Sequence, residues 1–377
     1  MPMFPIVEVS GSAFERGRMH GEQARGRVEL SVANYARLFS FNGMAWDEAQ
    51  RRSAGYRDLI GGFDAALLAE MEGIAHGAGR PFSEILALNT RTEVLPPTFL
   101  SAADAGECTA IAVSPPASAT GETLLAQNWD WIGSQREALI LLRVGEGKGS
   151  AGADPACLTL TEAGMLAKIG FNSCGVGVCL NILRSVFDGA NEGAHGGANA
   201  GVPVHVLLRA LLKRASVRDA VAFASELSFG GSSNILMADR GGEAASLEFS
   251  PKGLRVVRGE GGTLCHTNHF VHPEASGWQA AHVPNLSTVP RLERARQHAA
   301  SRAKHGIEDL KRLLRDESAG LLSICRKPDR SLPQEAQIES VASVIMELAR
   351  GVMHVAPDVP SRTDYQLVAL ATEAMPA

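Results

Sequence analysis

The sequence predicts an α+β layered fold. Three features carry that prediction: an N-terminal section of about a hundred residues that reads as helix, a change at Thr109 to short β-like runs, and helices that return in blocks rather than in βαβ alternation. Residues 4–9 form the first strand candidate. In the helical section Phe63, Leu67, Leu68, Met71, Ile74 and Ala75 recur at helical spacing, and Gly77 and Gly79 supply a stop before Pro81. Strand-like runs follow at Thr109–Val113, Thr123–Gln127, Ala138–Arg143, Cys157–Leu160, Leu166–Phe171 and Gly175–Asn181, a spacing that suggests an antiparallel sheet. Gly145–Ala156 and Gly189–Gly201 read as loops. Between Val204 and Leu227 the pattern is helical again, with Val204, Leu207, Leu208, Leu211 and Leu212 on one stripe and Ser216 with Asp219 imitating a capping box. Ser233–Ala238, Ala244–Phe249 and Leu254–Val257 are strand candidates, the first two joined through Arg240-Gly241-Gly242. Residues 290–315 read as helix with Ile307, Leu310, Leu313 and Leu314 on one face; Val341–Leu370 fits strand or helix. With no internal repeat and no interdomain linker, a single domain over 1–377 is expected.

Composition bounds the partners. At 377 residues, 45% hydrophobic and 20% charged, the chain can bury a sizeable core. Its 36 basic and 41 acidic residues give a formal charge of -5 without a dense Lys/Arg block, which argues against nucleic-acid binding and against a polybasic membrane anchor. Small molecules are the expected partners. The apolar runs Ala138–Leu142 and Val204–Leu212 are short or interrupted by charge, and Met1–Val7 lacks the features of a secretion signal, so a soluble, cytoplasmic protein is expected. The cysteines are Cys108, Cys157, Cys174, Cys179, Cys265 and Cys325; with no CxxC pair they fit neither a zinc ribbon nor a disulfide scaffold.

Several familiar motifs are absent: GxSxG, HExxH, and GxxxxGK followed by Ser or Thr. A GxGxxG match at Gly147, Gly149 and Gly152 is followed by Asp154-Pro155 and a strand-like run where a dinucleotide site needs a helix, so it reads as a flexible loop and no cofactor is expected. His266, His269 and His272 are spaced by three, but Gly261-Gly262 and Pro273 bracket a segment that looks extended. Hydrogen-bonded or solvated histidines are the favoured reading; a metal-dependent amidohydrolase using them is the alternative.

The most informative place is the junction of the helical and strand sections, Gly106-Glu107-Cys108-Thr109-Ala110. A cysteine opening a strand is more often a buried apolar residue than a nucleophile. Here a hairpin through Pro115-Pro116 and Gly121 leads to Gln127-Asn128-Trp129-Asp130-Trp131, and a return strand brings Asp130 back beside Cys108.

In these residues the sequence resembles the acyl-coenzyme A:6-aminopenicillanic acid acyltransferase (isopenicillin N acyltransferase) family of N-terminal-nucleophile hydrolases, close in architecture to bile-acid amide hydrolases. Cys108-Thr109 followed by Gln127-Asn128-Trp129-Asp130 carries the resemblance, with Glu72-Gly73-Ile74-Ala75-His76-Gly77-Ala78-Gly79, Leu88-Asn89-Thr90-Arg91 and Thr267-Asn268-His269. Arg16, Gly17, His20 and Gly21 resemble a further N-terminal feature, without an evident chemical role. The resemblance implies a four-layer αββα sandwich of two antiparallel sheets between helices. It also implies a proenzyme that cuts itself before Cys108 into segments 1–107 and 108–377, although Glu107 stands where glycine is frequent.

Freed as a terminus, Cys108 has an α-amine with a reference pKa near 8, able to take the proton of a thiol whose reference value is about 8.5. No histidine partner is needed. The resemblance implies Asn268 as the donor to the tetrahedral oxyanion, Asn181 as a second asparagine near the nucleophile, Asp130 as the partner that orients the Cys108 ammonium, and Arg291 as a group that pairs with Asp130 or supports the thiolate. The expected function is hydrolysis of a small-molecule amide, or acyl transfer to an amine, through an S-acyl enzyme. A non-catalytic relative serving as a binding module is the other alternative. Trp129, Trp131, Cys174 and Cys179 read as packing residues.

Overall fold

The structure, a computed structural model, describes residues 3–95, 108–149, 152–188, 201–281 and 287–371. The junction residues Gly106 and Glu107, and nearly all of the expected loop over 189–201, lie outside the described residues. A short strand, β1 (Ile6–Val9), leads into α1 (Ala13–Gln23), α2 (Arg25–Phe41), α3 (Trp46–Ala54), α4 (Tyr56–Phe63), α5 (Ala65–Ala78), α6 (Phe82–Asn89) and α7 (Arg91–Val94). Strands then dominate: β2 (Thr109–Val113), β3 (Leu124–Ile132), β4 (Leu139–Val144), β5 (Gly147–Gly149), β6 (Gly152–Asp154), β7 (Cys157–Glu162), β8 (Ile169–Asn172) and β9 (Val176–Ile182). After α8 (Val204–Leu211) and α9 (Val217–Ser225) come β10 (Ser233–Asp239), β11 (Ala244–Ser250), β12 (Gly253–Arg258) and β13 (Thr263–His266); α10 (Thr288–Ala300), α11 (Ile307–Leu314), β14 (Ile338–Glu347), β15 (Val352–Ala356) and β16 (Gln366–Ala369) complete the order.

The strands build an eight-stranded sheet, β1-β4-β7-β8-β9-β10-β11-β12, and a six-stranded sheet, β13-β2-β3-β14-β15-β16. Their faces meet where β2 and β3 lie against β9 and β10; α2 and α9 pack on the larger sheet and α10 and α11 on the smaller one. This is the expected αββα layering. Both sides of β2 are therefore covered, which explains its unbroken apolar run: Ile111 and Val113 pack with Leu292, Leu310 and Leu314 of α10 and α11, whereas Ala110 and Ala112 join the core between the sheets.

Several details differ from the sequence reading. The larger sheet is not wholly antiparallel, because β1 runs parallel to β4 with Ile6 opposite Leu141. The glycine-rich run expected as loop contains the hairpin β5–β6, which places Gly147 and Gly149 on one strand and Gly152 on the next. Residues 290–315 form two helices, parted between Ser301 and Gly306, and 341–370 resolves into strands that complete the smaller sheet. At α9 the Ser216 hydroxyl accepts the Asp219 N–H, as a cap should, while Asp219 Oδ2 takes the N–H of Ala215. Among the described residues no helix is long and apolar enough to cross a membrane.

The glycines of both N-terminal motifs turn out to be structural. Gly17 and Gly21 on α1 and Gly73 and Gly77 on α5 lie four residues apart on facing stripes, where the backbones touch. A Cβ on Gly17 would stand 1.9 Å from the Glu70 carbonyl oxygen, and one on Gly77 2.0 Å from that of Arg18. The crossing is locked by the buried Glu70 carboxylate, 3.3 Å from Arg16 Nη2 and 3.5 Å from Arg209 Nη2 on α8. Gly77→Ala must force the two backbones apart, and we expect it to cost about 2 kcal/mol or more, read as a lower denaturant midpoint, because overpacking against backbone has no rotamer escape.

Candidate active site

Cys108 sits one residue before β2. Thr109 is opposite Asn128 in the β2–β3 ladder, so one further step places Cys108 opposite Trp129 on the inter-sheet face. It is 5% exposed. Its backbone is held on both sides. The nitrogen donates to Asn268 Oδ1 at 2.6 Å; the carbonyl accepts from Asn181 Nδ2 at 3.1 Å and Arg291 Nη1 at 2.8 Å. The Sγ atom lies 4.0 Å from the Asp130 carbonyl oxygen. The structure therefore brings Cys108, Asn181, Asn268 and Arg291 into one hydrogen-bonded group with Asp130 beside it.

Each of these side chains is positioned by its own layer. Asn181 is on β9 opposite Asn234 of β10; its Oδ1 accepts from Asn234 Nδ2 at 3.1 Å, and Asn234 Oδ1 accepts from Ser246 Oγ of β11 at 2.8 Å, so a polar row through three strands fixes which way the Asn181 amide points. Arg291, in the first turn of α10, is fully buried and also donates to Thr109 Oγ1 at 2.8 Å, Asn268 Oδ1 at 3.1 Å and Ser287 Oγ at 3.1 Å. Its guanidinium also grips the Cys108 carbonyl, and its charge favours the Cys108 thiolate. Asp130, on β3, accepts from Ser340 Oγ of β14 at 2.6 Å. Asn268 presents its oxygen to the Cys108 nitrogen, while its Nδ2 donates to the Ile182 carbonyl at 3.0 Å.

The loop that carries Asn268 hangs on one buried carboxylate. Glu248 accepts from His266 Nε2 at 2.7 Å and from the N–H groups of Val271 at 2.6 Å and His272 at 3.1 Å. Each histidine of the triplet has a protein partner of its own. His269 Nδ1 faces Thr288 Oγ1 at 2.9 Å, His272 Nδ1 accepts the Glu274 N–H at 3.2 Å, and among the described residues no group of three or more His, Cys, Asp or Glu side chains is placed to hold a metal. Burial pushes His269 down to about 4, so it stays neutral.

Burial pushes the Cys108 thiol up to about 12, reinforced by the Asp130 charge and opposed by its contact with the Asp130 carbonyl and by the Lys168 and Arg291 charges. The resting sulfur is a thiol, so nucleophilic chemistry here requires a base within reach.

Sequence reasoning missed the wall behind Cys108. Glu162 on β7 accepts from Tyr35 Oη at 2.7 Å and is 3.3 Å from both Arg91 Nη2 and Lys168 Nζ, and the Lys168 ammonium lies 3.8 Å from the centre of the Trp129 ring. The motif Leu88-Asn89-Thr90-Arg91 belongs to this wall: Asn89 Nδ2 donates to the Gly164 carbonyl and its Oδ1 accepts the Leu166 N–H, tying down the turn that delivers Lys168. Two charges flanking the turn between β7 and β8, Glu162 and Lys168, were the available signal.

Known proteins match this chain along most of its length. A family model described as acyl-coenzyme A:6-aminopenicillanic acid acyl-transferase matches residues 118–358. The acyl-coenzyme A:6-aminopenicillanic-acid-acyltransferase 40 kDa form of Emericella nidulans is 31% identical over 332 residues, 85% of this chain and 84% of that protein. Among solved structures, a conjugated bile acid hydrolase from Clostridium perfringens superposes with a TM-score of 0.46 at 12% identity, covering 69% of this chain and 92% of its own. A penicillin V acylase from Agrobacterium tumefaciens gives 0.47 at 13% identity, covering 71% and 89%.

The Glu248 anchor yields a stability prediction with a defined sign. Burial raises its pKa, but the His266 hydrogen bond and charge and the two backbone N–H groups outweigh burial and hold it below its ordinary 4.5. A carboxyl depressed on folding contributes stability that is present above the unfolded value and lost as pH falls through the folded one. Glu248→Gln should lower stability by about 2 kcal/mol at neutral pH and flatten the acid limb of the stability–pH curve below about pH 4.5, measured by urea denaturation.

Proposed function

Since the chain belongs to the acyl-coenzyme A:6-aminopenicillanic acid acyl-transferase family and is an enzyme of amide hydrolysis or acyl transfer, we propose that Cys108 is its nucleophile, released as a chain terminus by self-cleavage. One observation carries this reading. The main chain of Cys108 is gripped on its nitrogen by Asn268 and on its carbonyl by Asn181 and Arg291, from separate elements, in a way that a cysteine serving only to fill the core has no need of.

In the processing step Cys108 Sγ attacks the carbonyl carbon of residue 107 and the C–N bond breaks as nitrogen takes a proton. Water then hydrolyses the thioester, leaving 1–107 and 108–377. In turnover the new α-amine accepts the thiol proton, the thiolate adds to the substrate carbonyl, the tetrahedral intermediate expels the amine with that proton, and water or a second amine takes the acyl group from sulfur. A thiol held near 12 while protein surrounds it makes this internal base more valuable, because bulk hydroxide has no access to a site this dry.

Asn268 donates to the oxyanion when its Nδ2 exchanges the Ile182 carbonyl for the substrate, a contribution worth about 3 kcal/mol in comparable sites. Asp130, steadied by Ser340, orients the Cys108 ammonium. Arg291 and Asn181 hold the Cys108 carbonyl so that nucleophile and base keep one geometry through both steps. The substrate is a small-molecule amide or acyl donor, with water or an amine as acceptor. The relative's printed name points to acyl-coenzyme A and 6-aminopenicillanic acid, and we assign this chain only the shared chemistry, acyl transfer from a donor to an amine or to water.

Intact mass spectrometry of freshly expressed protein should show two fragments, the second beginning at Cys108. Cys108→Ala should remain one chain without amidase turnover, and Cys108→Ser should process slowly. A parent that stays intact while its amidase activity survives loss of the sulfur overturns the proposal. A second prediction separates positioning from attack: Asn268→Ala should reduce kcat by roughly a hundredfold or more with little change in KM.

A further inference from the structure

The charge count in the wall behind Cys108 is uneven. Lys168 is 4% exposed, and a lysine this dry is tolerated only with a partner. Its partner, Glu162, is shared: the same Oε1 that lies 3.3 Å from Lys168 Nζ lies 3.3 Å from Arg91 Nη2 and accepts from Tyr35 Oη. One carboxylate therefore serves two cations. Arg91 spends its charge away from Cys108, stacked 4.8 Å from the Tyr35 ring and 5.0 Å from the Trp131 ring. Lys168 instead lies on the Trp129 indole, the residue that stands opposite Cys108 in the strand register and on the same face. Of the two cations that share Glu162, this one stands on the side of the nucleophile, opposite in sign to the Asp130 carboxylate beside the sulfur.

We propose that Lys168 is a positioning residue for the reaction at Cys108: its ammonium, pinned on the Trp129 indole by Glu162, provides the positive charge against which the Cys108 thiolate forms. This rests on the reading of Cys108 as nucleophile. The groups facing Lys168 agree with the role. Glu162 is held below the ordinary carboxylate range by Lys168 and Arg91 in spite of burial, and so is an anion; His205 on α8 is kept well below its usual value by burial and by the Arg91 and Lys168 charges, and so is neutral. Burial brings Lys168 itself down to about 7, with Glu162 pulling it up, Arg91 pushing it down and Cys108 pulling it up. The support it gives the thiolate is thus present below about pH 7 and fades as pH rises through that value.

The test is the rate at which iodoacetamide alkylates Cys108 in the protein as expressed, both segments present, between about pH 5 and about pH 9, followed by intact mass and peptide mapping. The parent should show an inflection near pH 7. Lys168→Met should react roughly tenfold more slowly on the acid side and lose the inflection near pH 7, keeping only the rise set by the Cys108 α-amine near 8. Lys168→Arg should keep the acid-side rate but lose the inflection, because a guanidinium does not titrate there. Glu162→Gln, which leaves the lysine in place, should move the inflection to lower pH, and it decides the matter if the Met variant fails to fold. A Met variant with the parent's rate and inflection, or a Gln variant whose inflection stays put, overturns the role of Lys168 while leaving Cys108 as nucleophile. A parent in which Cys108 reacts no faster than the partly exposed Cys174 overturns both.

Discussion

Everything in the site depends on how the carbonyl of Cys108 is held. Asn181 reaches it from the larger sheet and Arg291 from a helix on the far side of the smaller one, so that a single peptide group at the start of β2 joins three layers of the sandwich. Two donors on one buried carbonyl, one of them charged, leave that residue little freedom to move relative to Asn268 or Trp129. The same carbonyl lies one bond from the atom carrying both nitrogen and side chain, so gripping carbonyl and nitrogen together fixes the Cα–Cβ direction and leaves χ1 to aim the sulfur. The polar row Asn181–Asn234–Ser246 and the Glu248 anchor of the Asn268 loop read as extensions of this one constraint, each supplying orientation to a side chain that meets Cys108.

The price of that rigidity is dryness. Buried polar groups are tolerable only when paired, and the inter-sheet space near Cys108 is filled with amides, a guanidinium, a carboxylate and a lysine that satisfy one another. A thiol in such a place ionises reluctantly, and the neighbouring Asp130 charge makes it more reluctant. The proposed answer is local: a base on the same residue and positive charge within the same wall. Both act over distances at which the low dielectric of the interior strengthens rather than weakens them.

How much of this could be read from the chain depended on whether the signal was local. Blocks of periodicity gave the layered α+β class, and Cys108-Thr109 with Gln127–Asp130 pointed to the junction, because strand register brings those stretches together without help from the rest of the chain. The parallel placement of β1 beside β4 could not be read, since it joins residues more than a hundred apart that share no pattern. Nor could the orientation of Asn268, which is decided by Ile182 and Thr288 rather than by its neighbours in sequence. The glycines of Gly73 and Gly77 were visible as a motif, yet their reason, a backbone-to-backbone crossing with α1, existed only in three dimensions. Lys168 and Glu162 were hidden for a different cause: lone charges at the end of a strand and in the turn after it look solvent-facing until both are found to be covered.

The two buried ion clusters show how the fold divides support from chemistry. At the α1–α5 crossing, Glu70 sits between Arg16 and Arg209, far along the helical layer, where it ties α8 to the N-terminal helices. In the wall behind Cys108 the pattern is similar, one carboxylate between two cations, but one of the cations rests on the indole of Trp129, the cross-strand neighbour of Cys108. Desolvation makes either arrangement costly, and apolar residues of similar volume often give as much stability. For the first cluster, orienting three helices is sufficient reason to bear that cost. For the second, Asn89 already ties down the turn that carries Lys168, and on the proposed reading the ammonium is left to act on the charge that forms at Cys108.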